Sequence, residues 1–245
     1  MFSKVKTIGL NGLDGYIINV EATLLSGLSG IEIVGLPDIS IRESKERVTS
    51  AIKNSGFQFP YGKIILNLSP ANTKKEGATF DLPIAMAILA IMGVVTPELL
   101  NEYCFLGELS LDGKINPIKG ILPMAICASK NNIKHLIIPE ENSKEAGVIQ
   151  GIEILTARTL ADIISYFCCK IPLQTSYSDI SNIFNNSKKY DIDFSEVKGQ
   201  ETAKRALEIA AAGNRVMGGV QPHSAIEHMH MGIAYTHPGD DRILF

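Results

Sequence analysis

The residues from Leu82 to Val95 constrain the fold more than any other part of the sequence, because all 14 of them are apolar or glycine. A helix that is apolar on every face is stable only inside a core. The run is also shorter than the roughly 20 residues that a helix needs to cross a bilayer. We therefore expect Leu82–Val95 to form a buried helix of a globular domain.

A strand and a charged loop are predicted directly before this helix. Lys63–Pro70 alternates and is rich in Ile and Leu, which indicates a buried strand. The polar residues after it, from Asn72 to Gly77, indicate a loop with a glycine hinge. A strand that leads through a charged loop into a buried helix is a common way to hold a reactive or binding group at the edge of a core.

The rest of the chain shows strand and helix signals without a strict strand–helix–strand rhythm. Strands are predicted at Phe2–Leu10, Tyr16–Leu24, Ile31–Val34, Cys104–Leu109, Lys114–Asn116, His135–Pro139 and Ile152–Leu155. Helices are predicted from a Ser40/Glu43 capping box to Gly56, at Gly120–Asn132 and at Leu160–Phe167, with a helical turn at Glu140–Ala146. This pattern favours an α+β fold with a mixed sheet and packed helices.

Composition limits the partners and the compartment. The 245 residues carry a net charge of −3, and residues 1–170 hold 16 Lys/Arg against 17 Asp/Glu, so any DNA contact would need a local basic patch. The start of the chain lacks the apolar block of a signal peptide, from which we expect a cytoplasmic protein without membrane attachment. Cys104 and Cys127 lie in apolar runs and are expected to be reduced core residues.

The composition changes after residue 170. Residues 171–193 are rich in Ser, Asn, Tyr and Asp and predict a linker, and residues 194–215 predict a helix that opens after Gly199. Residues 216–245 show no clear period and are expected to be a disordered tail. The chain is thus predicted to contain a domain over 1–170, a linker and the start of a second module.

Several segments resemble one family in order and in spacing. GLPDISIRESKERVTSAIKNSG, LNLSPANTKKEGATFDLPIAMAIL and FLGELSLDGKINPIKGILP resemble the N-terminal domain of the magnesium-chelatase-like ATPases of the ComM/YifB family. FSEVKGQETAKRALEIAAAGN resembles the opening of that family's AAA+ module. The N-terminal domain is in turn similar to the proteolytic domain of Lon, which implies the same α+β fold. The family consists of hexameric ATPases that use ATP and Mg, and its competence branch drives branch migration on DNA during natural transformation. The resemblance therefore implies DNA and self-association into a ring as candidate interactions.

The resemblance also locates the two positions of the Lon peptidase dyad. Thr79 aligns with the serine nucleophile and Leu122 with the lysine base. Leucine cannot accept a proton, and Lys119 lies three residues too early for the Lon spacing. We expect no peptidase activity; a degenerate Lon-type peptidase is the less favoured alternative. Thr79 would then serve as a cap for the buried helix, a role for which Asp81 is a rival.

Nucleotide binding is not expected either. A phosphate-binding loop needs the pattern G-x-x-x-x-G-K-S/T, which does not occur in the sequence. Val197, Gly199 and Gln200 match the family segment that lies beside adenine, but without the phosphate loop we expect no ATP cofactor. Since that loop follows the AAAGN segment in the family, the sequence predicts a truncated product of a longer ATPase gene.

Two groups of residues are candidate binding sites. Lys74 and Lys75 on the polar loop are candidate DNA contacts, and basic residues of the first helix are a second group whose alternative is a solvated face interleaved with Glu43 and Glu46: Arg42, Lys45, Arg47 and Lys53. The histidines of the tail have spacings that do not favour a metal site, and no metal is expected: His223, His228, His230 and His237.

The favoured function is a non-catalytic domain that assembles or guides an ATP-driven DNA motor. A stand-alone protein-interaction module is the alternative.

Overall fold

The computed structural model describes residues 2–177 and 198–212. Its main sheet has eight strands: β1 (Phe2–Asn11), β2 (Asp14–Leu25), β3 (Gly30–Val34), β4 (Lys63–Ser69), β5 (Tyr103–Phe105), β8 (His135–Pro139), β9 (Glu153–Ala157) and β10 (Gln174–Thr175). The strand order is β10-β9-β8-β5-β1-β2-β4-β3. A separate antiparallel pair contains β6 (Glu108–Leu109) and β7 (Ile115–Asn116). Parallel and antiparallel neighbours both occur in the main sheet, so the predicted mixed sheet is confirmed.

Helices cover both faces of this sheet. They are α1 (Ile39–Asn54), α2 (Asp81–Ile91), α3 (Ile121–Lys130), α4 (Ser143–Ala146) and α5 (Leu160–Cys169), with short 3-10 helices at Ala78–Phe80, Pro97–Glu102 and Glu140–Asn142. Every residue of α2 is buried, as its apolar sequence predicted. The helix ends at Ile91, however, and not at Val95, and the exposed Gly93 beyond its end has a positive φ. The chain divides into two compact units, and residues 198–212 of the second unit contain the amphipathic helix α6 (Glu201–Ala212).

Alternate side chains of the central strands enter two separate cores. On β8, Ile137 packs into the core shared with α1, α2 and α5, whereas Leu136 and Ile138 pack into the core shared with α3. A parallel strand buried on both faces is apolar almost throughout, which explains why β8 shows no polar alternation. Cys104 and Cys127 are buried and unbridged in the second core, as predicted.

Three local predictions were wrong. The first helix is capped by Asp38 and not by Ser40, because the Asp38 carboxylate, two residues earlier in the chain, accepts from the Ile41 amide at 2.8 Å. Neither Thr79 nor Asp81 caps α2 with its side chain, since the 3-10 helix Ala78–Phe80 leads directly into it. Residues 174–175, predicted as linker, form β10 on the edge of β9. The remainder of the linker and the tail over 216–245 lie outside the described residues.

No helix within residues 2–177 and 198–212 is long and apolar enough to cross a membrane.

Candidate functional site

Asp38 ties the polar loop before α2 to the beginning of α1. One carboxylate oxygen accepts from the Ile41 amide at 2.8 Å, and the other accepts from the Gly77 amide at 3.0 Å. The backbone amide of Asp38 donates to the carbonyl of Lys75 at 3.0 Å. A single side chain thus satisfies a helix-terminal donor and a loop donor, so the loop and the start of α1 are fixed relative to each other.

The two loop lysines have opposite environments. Lys75 is fully buried, and its ammonium donates to the carbonyl of Pro70. Burial lowers the pKa of Lys75, because desolvation disfavours the charged amine. The Lys74 side chain is exposed and forms a 2.7 Å ion pair with Glu76. The two adjacent lysines thus differ in their access to solvent, and the DNA contact predicted for Lys74 and Lys75 stays a prediction.

A buried ion pair joins α1 to α2 just behind this loop. Arg47 donates to both carboxylate oxygens of Asp81, at 2.6 Å from Nε and 3.0 Å from Nη2. The Asp81 side chain is 0% exposed and the Arg47 side chain 23% exposed. The Leu109 amide donates a further hydrogen bond to Asp81 at 3.2 Å. The alternative that Arg47 belongs to a solvated helix face was therefore wrong, whereas Arg42 and Lys53 are exposed.

Burial controls the protonation of this carboxylate. Desolvation raises the pKa of Asp81 to about 6, against the opposing effect of the hydrogen bonds from Arg47 and Leu109. Arg47 in turn has a raised pKa, chiefly because of its hydrogen bond to Asp81. The sequence carried a signal for this pair that our reasoning missed: an acidic residue at the head of a wholly apolar helix needs a buried cation or donor nearby.

Thr79 lies in the short 3-10 helix between the loop and α2 and is half-buried. Its carbonyl accepts from the Gly107 amide at 3.2 Å, and the Gly107 carbonyl accepts from the Leu82 amide at 3.0 Å. A Cβ at Gly107 would lie 2.6 Å from Ile115 Cγ2, which explains the glycine at this close approach. The position aligned with the Lon nucleophile is thus held by backbone hydrogen bonds on both of its sides.

The position aligned with the Lon base carries an aliphatic side chain in an equally fixed segment. Leu122 is half-buried in the first turn of α3, where its amide donates to Glu145 Oε1 at 3.3 Å. The side chain of Asn142 accepts from the Ile118 amide and donates to the Ile118 carbonyl, both at 2.9 Å. This pairing holds the turn before α3 in the way that a neighbouring strand would. Lys119 is exposed on that turn. The role of Asn142 was not predicted from the sequence.

Cavities within residues 2–177 were compared with the two positions aligned with the Lon dyad. Two cavities of about 270 and 210 Å³ lie beside Arg158 and Glu140, and neither is lined by Thr79 or Leu122. Residues 2–177 and 198–212 contain no group of three or more His, Cys, Asp or Glu placed to hold a metal ion. Gly199 and Gln200 lie directly before α6, both with positive φ. Val197 and the tail residues His223, His228, His230 and His237 fall outside the described part of the chain.

Comparison with known proteins identifies the family. Residues 20–142 match the model of the family described as subunit ChlI of Mg-chelatase. The chain belongs to the ChlI family. The match includes the second half of β2, β3, β4, the polar loop, α2 and the turn held by Asn142, so it spans both positions aligned with the Lon dyad.

Two bacterial proteins align over most of this chain. Competence protein ComM of Haemophilus influenzae Rd is 37% identical over 204 residues, which is 82% of this chain and 40% of ComM. The protein YifB of Escherichia coli K12 is 38% identical over 211 residues, 86% of this chain and 41% of YifB. The chain therefore spans about 40% of the length of these relatives. The resemblance to ComM and YifB that the sequence motifs indicated is confirmed.

A more distant similarity connects the chain to Lon. The Lon protease of Trichlorobacter lovleyi is 22% identical over 181 residues, 69% of this chain and 22% of the protease. This similarity and the mixed sheet agree with the Lon-like fold expected from the motifs.

Proposed function

We propose that residues 2–177 form a non-catalytic domain that assembles an ATP-driven DNA-processing machine or guides substrate into it. The observation that carries the proposal is Leu122, an aliphatic residue at the position of the Lon base, whose amide donates to Glu145 and whose preceding turn is held by the bonds between Asn142 and Ile118. An aliphatic side chain cannot take a proton from Thr79, so this arrangement does not supply the base that a Ser–Lys type reaction requires. The kind of machine is inferred from the family resemblance, since the competence branch of the family drives branch migration of DNA with ATP during natural transformation.

The rigid anchoring of both dyad segments supports a scaffold role. Asp38 connects the polar loop to α1, and Asp81 connects α2 to α1 through Arg47. These connections hold the surface formed by the loop, α1 and α2 in one conformation, and a domain that guides a substrate or assembles a complex needs such a rigid binding surface. A domain of this kind would act together with a full-length family member that carries the nucleotide site.

Two activity assays test the non-catalytic part. The purified 245-residue chain is incubated with ATP and Mg²⁺, and separately with an unfolded protein such as casein. We expect neither phosphate release nor peptide cleavage above that of a Thr79→Ala variant. Cleavage by the parent chain that is lost in Thr79→Ala would refute the proposal, and so would phosphate release by the purified chain.

The assembly part is tested by co-purification. A tagged copy of the chain is expressed beside a full-length family member, and we expect the two to co-elute on size exclusion. DNA guidance is tested by titration with a branched DNA at increasing salt, where Lys74→Glu should weaken binding and reduce the salt dependence by about one phosphate contact. Lys130→Glu, on the exposed side of α3, is the matched control. Separate elution together with salt-independent or absent DNA binding would contradict both forms of the proposal.

A further inference from the structure

Exposed apolar side chains are concentrated at one edge of the main sheet. β3 is the terminal strand there, and within residues 2–177 it pairs only with β4. Six of the 13 large apolar side chains that are exposed in this part of the chain flank the two ends of β3. They are Leu25, Leu28 and Tyr61 at its beginning and Val34, Leu36 and Ile39 at its end. Isolated exposed apolar residues are ordinary, but a cluster along an unpaired strand edge marks an interaction surface.

The backbone holds these side chains in place. The Gly30 amide donates to the Gly62 carbonyl at 3.2 Å, so the turn that carries Leu28 lies beside the turn that carries Tyr61. Their side chains are 91% and 89% exposed. At the other end, Leu36 has a φ of +59°, which is uncommon for a residue with a Cβ. Its carbonyl accepts from the Lys75 amide at 3.2 Å, so the polar loop fixes this conformation.

The charges at the middle of the edge sum to a positive value. Glu32 forms a 2.6 Å ion pair with Lys63 on β4, and Lys45 on α1 also lowers the pKa of Glu32. These three groups carry a net charge of +1. An acidic side chain on an added strand would be attracted here, whereas a basic one would be repelled.

We propose that the β3 edge binds an extended peptide segment of a partner protein as an added strand, with apolar residues at both ends of that segment and an acidic residue at its centre. Backbone hydrogen bonds to β3 give the affinity of such a complex, and the flanking side chains give its selectivity. The five residues of β3 span about 13 Å, so the segment needs roughly five to seven residues. This inference is independent of the proposed function, because it requires neither DNA nor a motor.

A synthetic peptide tests the proposal on the full 245-residue chain. The probe is a fluorescein-labelled heptapeptide of alternating valine and threonine, with leucine at both ends and a central aspartate, measured by fluorescence anisotropy. We expect binding that weakens at least tenfold when the central aspartate is replaced by lysine. N-methylation of alternate backbone amides, which removes donors but keeps the side chains, should abolish binding. Absence of binding up to 1 mM, or equal binding of the N-methylated peptide, would overturn the proposal.

Variants locate the binding edge. Leu28→Lys and Ile39→Lys change the exposed side chains at the two ends of β3, and each should weaken peptide binding at least tenfold. Leu99→Lys and Leu111→Lys are matched controls, because these side chains are also more than half exposed but lie elsewhere. Circular dichroism verifies that all four variants fold. Equal weakening by the controls would place the peptide elsewhere, and a dimer that Ile39→Lys dissociates in sedimentation would assign the edge to a second copy of this chain instead.

Discussion

The two segments aligned with the Lon dyad are held in place by different chemistry. The segment of Thr79 is anchored by ionisable side chains, Asp38 on the loop and the buried Asp81–Arg47 pair behind it. The segment of Leu122 is anchored by the neutral amide of Asn142 and by Glu145 at the surface. A buried ion pair requires desolvation of two charges, whereas a buried amide that forms both of its hydrogen bonds leaves no charge to compensate. The contribution of the first anchor to stability should therefore depend strongly on pH and on the presence of Arg47, whereas that of the second anchor should not.

Removing the cation of the first anchor should have the largest effect. Arg47→Ala leaves the Asp81 carboxylate buried without its partner, and we expect a loss of about 3–5 kcal/mol in the free energy of unfolding. Urea denaturation at pH 7 measures it. Arg42→Ala, on the same helix but exposed, should change stability by no more than about 0.5 kcal/mol. A loss of the same size in both variants would show that the pair has no special role.

The pH dependence of stability separates the two anchors. Because the pKa of Asp81 is about 6 in the folded protein and 3.8 for an unperturbed aspartate, the folded state binds this proton more tightly than the unfolded state. Its contribution to stability is therefore fully present below pH 4 and is lost as pH rises through about 6. By linkage the loss is about 3 kcal/mol.

Asp81→Asn removes this titration. Between pH 4 and 7 the variant should lack the fall in stability that the parent shows, as measured by urea midpoints at each pH. Asp112→Asn in the exposed hairpin turn is the control and should follow the parent. Parallel curves for the parent and Asp81→Asn would contradict the assignment.

The second anchor should give a smaller and pH-independent effect. Asn142→Ala leaves the buried amide and carbonyl of Ile118 without their side-chain partners, which should cost about 2 kcal/mol. The loss should be the same at pH 4 and pH 7, in contrast to the behaviour of Asp81. The exposed Asn72→Ala is the matched control, with an expected change below about 0.5 kcal/mol. A loss that varies between pH 4 and 7 would remove the distinction between the two anchors.

Local patterns predicted most of the elements but not the contacts between them. The apolar run of α2 and the alternation of β4 define their own structures, since each pattern reports the burial of its own residues. The Ser40/Glu43 spacing fits the capping rule equally well. Asp38 is nevertheless the N-cap of α1, because its carboxylate also accepts from the amide of Gly77, which is distant in sequence. A choice between two local candidates was decided by a tertiary contact.

The candidate site was predicted less well for the same reason. Arg47 looks like one of several interleaved charges on α1, and only its distance to Asp81, 34 residues away, distinguishes it from Arg42. Lys75 and Lys74 are adjacent in sequence, yet Lys75 is drawn inward by its pairing with Leu36 and Pro70 while Lys74 faces solvent. Charge patterning predicts neither outcome, because it contains no information on which polar group the fold encloses.

The way in which β10 lies against β9 has a mechanical consequence for whatever follows it in the chain. Thr156 Oγ1 donates to the Gln174 carbonyl at 3.2 Å, and Ser176 bonds both to Ile154 at 2.9 Å and to Ser143 at 2.8 Å. A load applied to the backbone beyond Tyr177 must therefore break these bonds before it reaches α5. β10 therefore protects α5 and the two cores from a pulling force on the chain that follows.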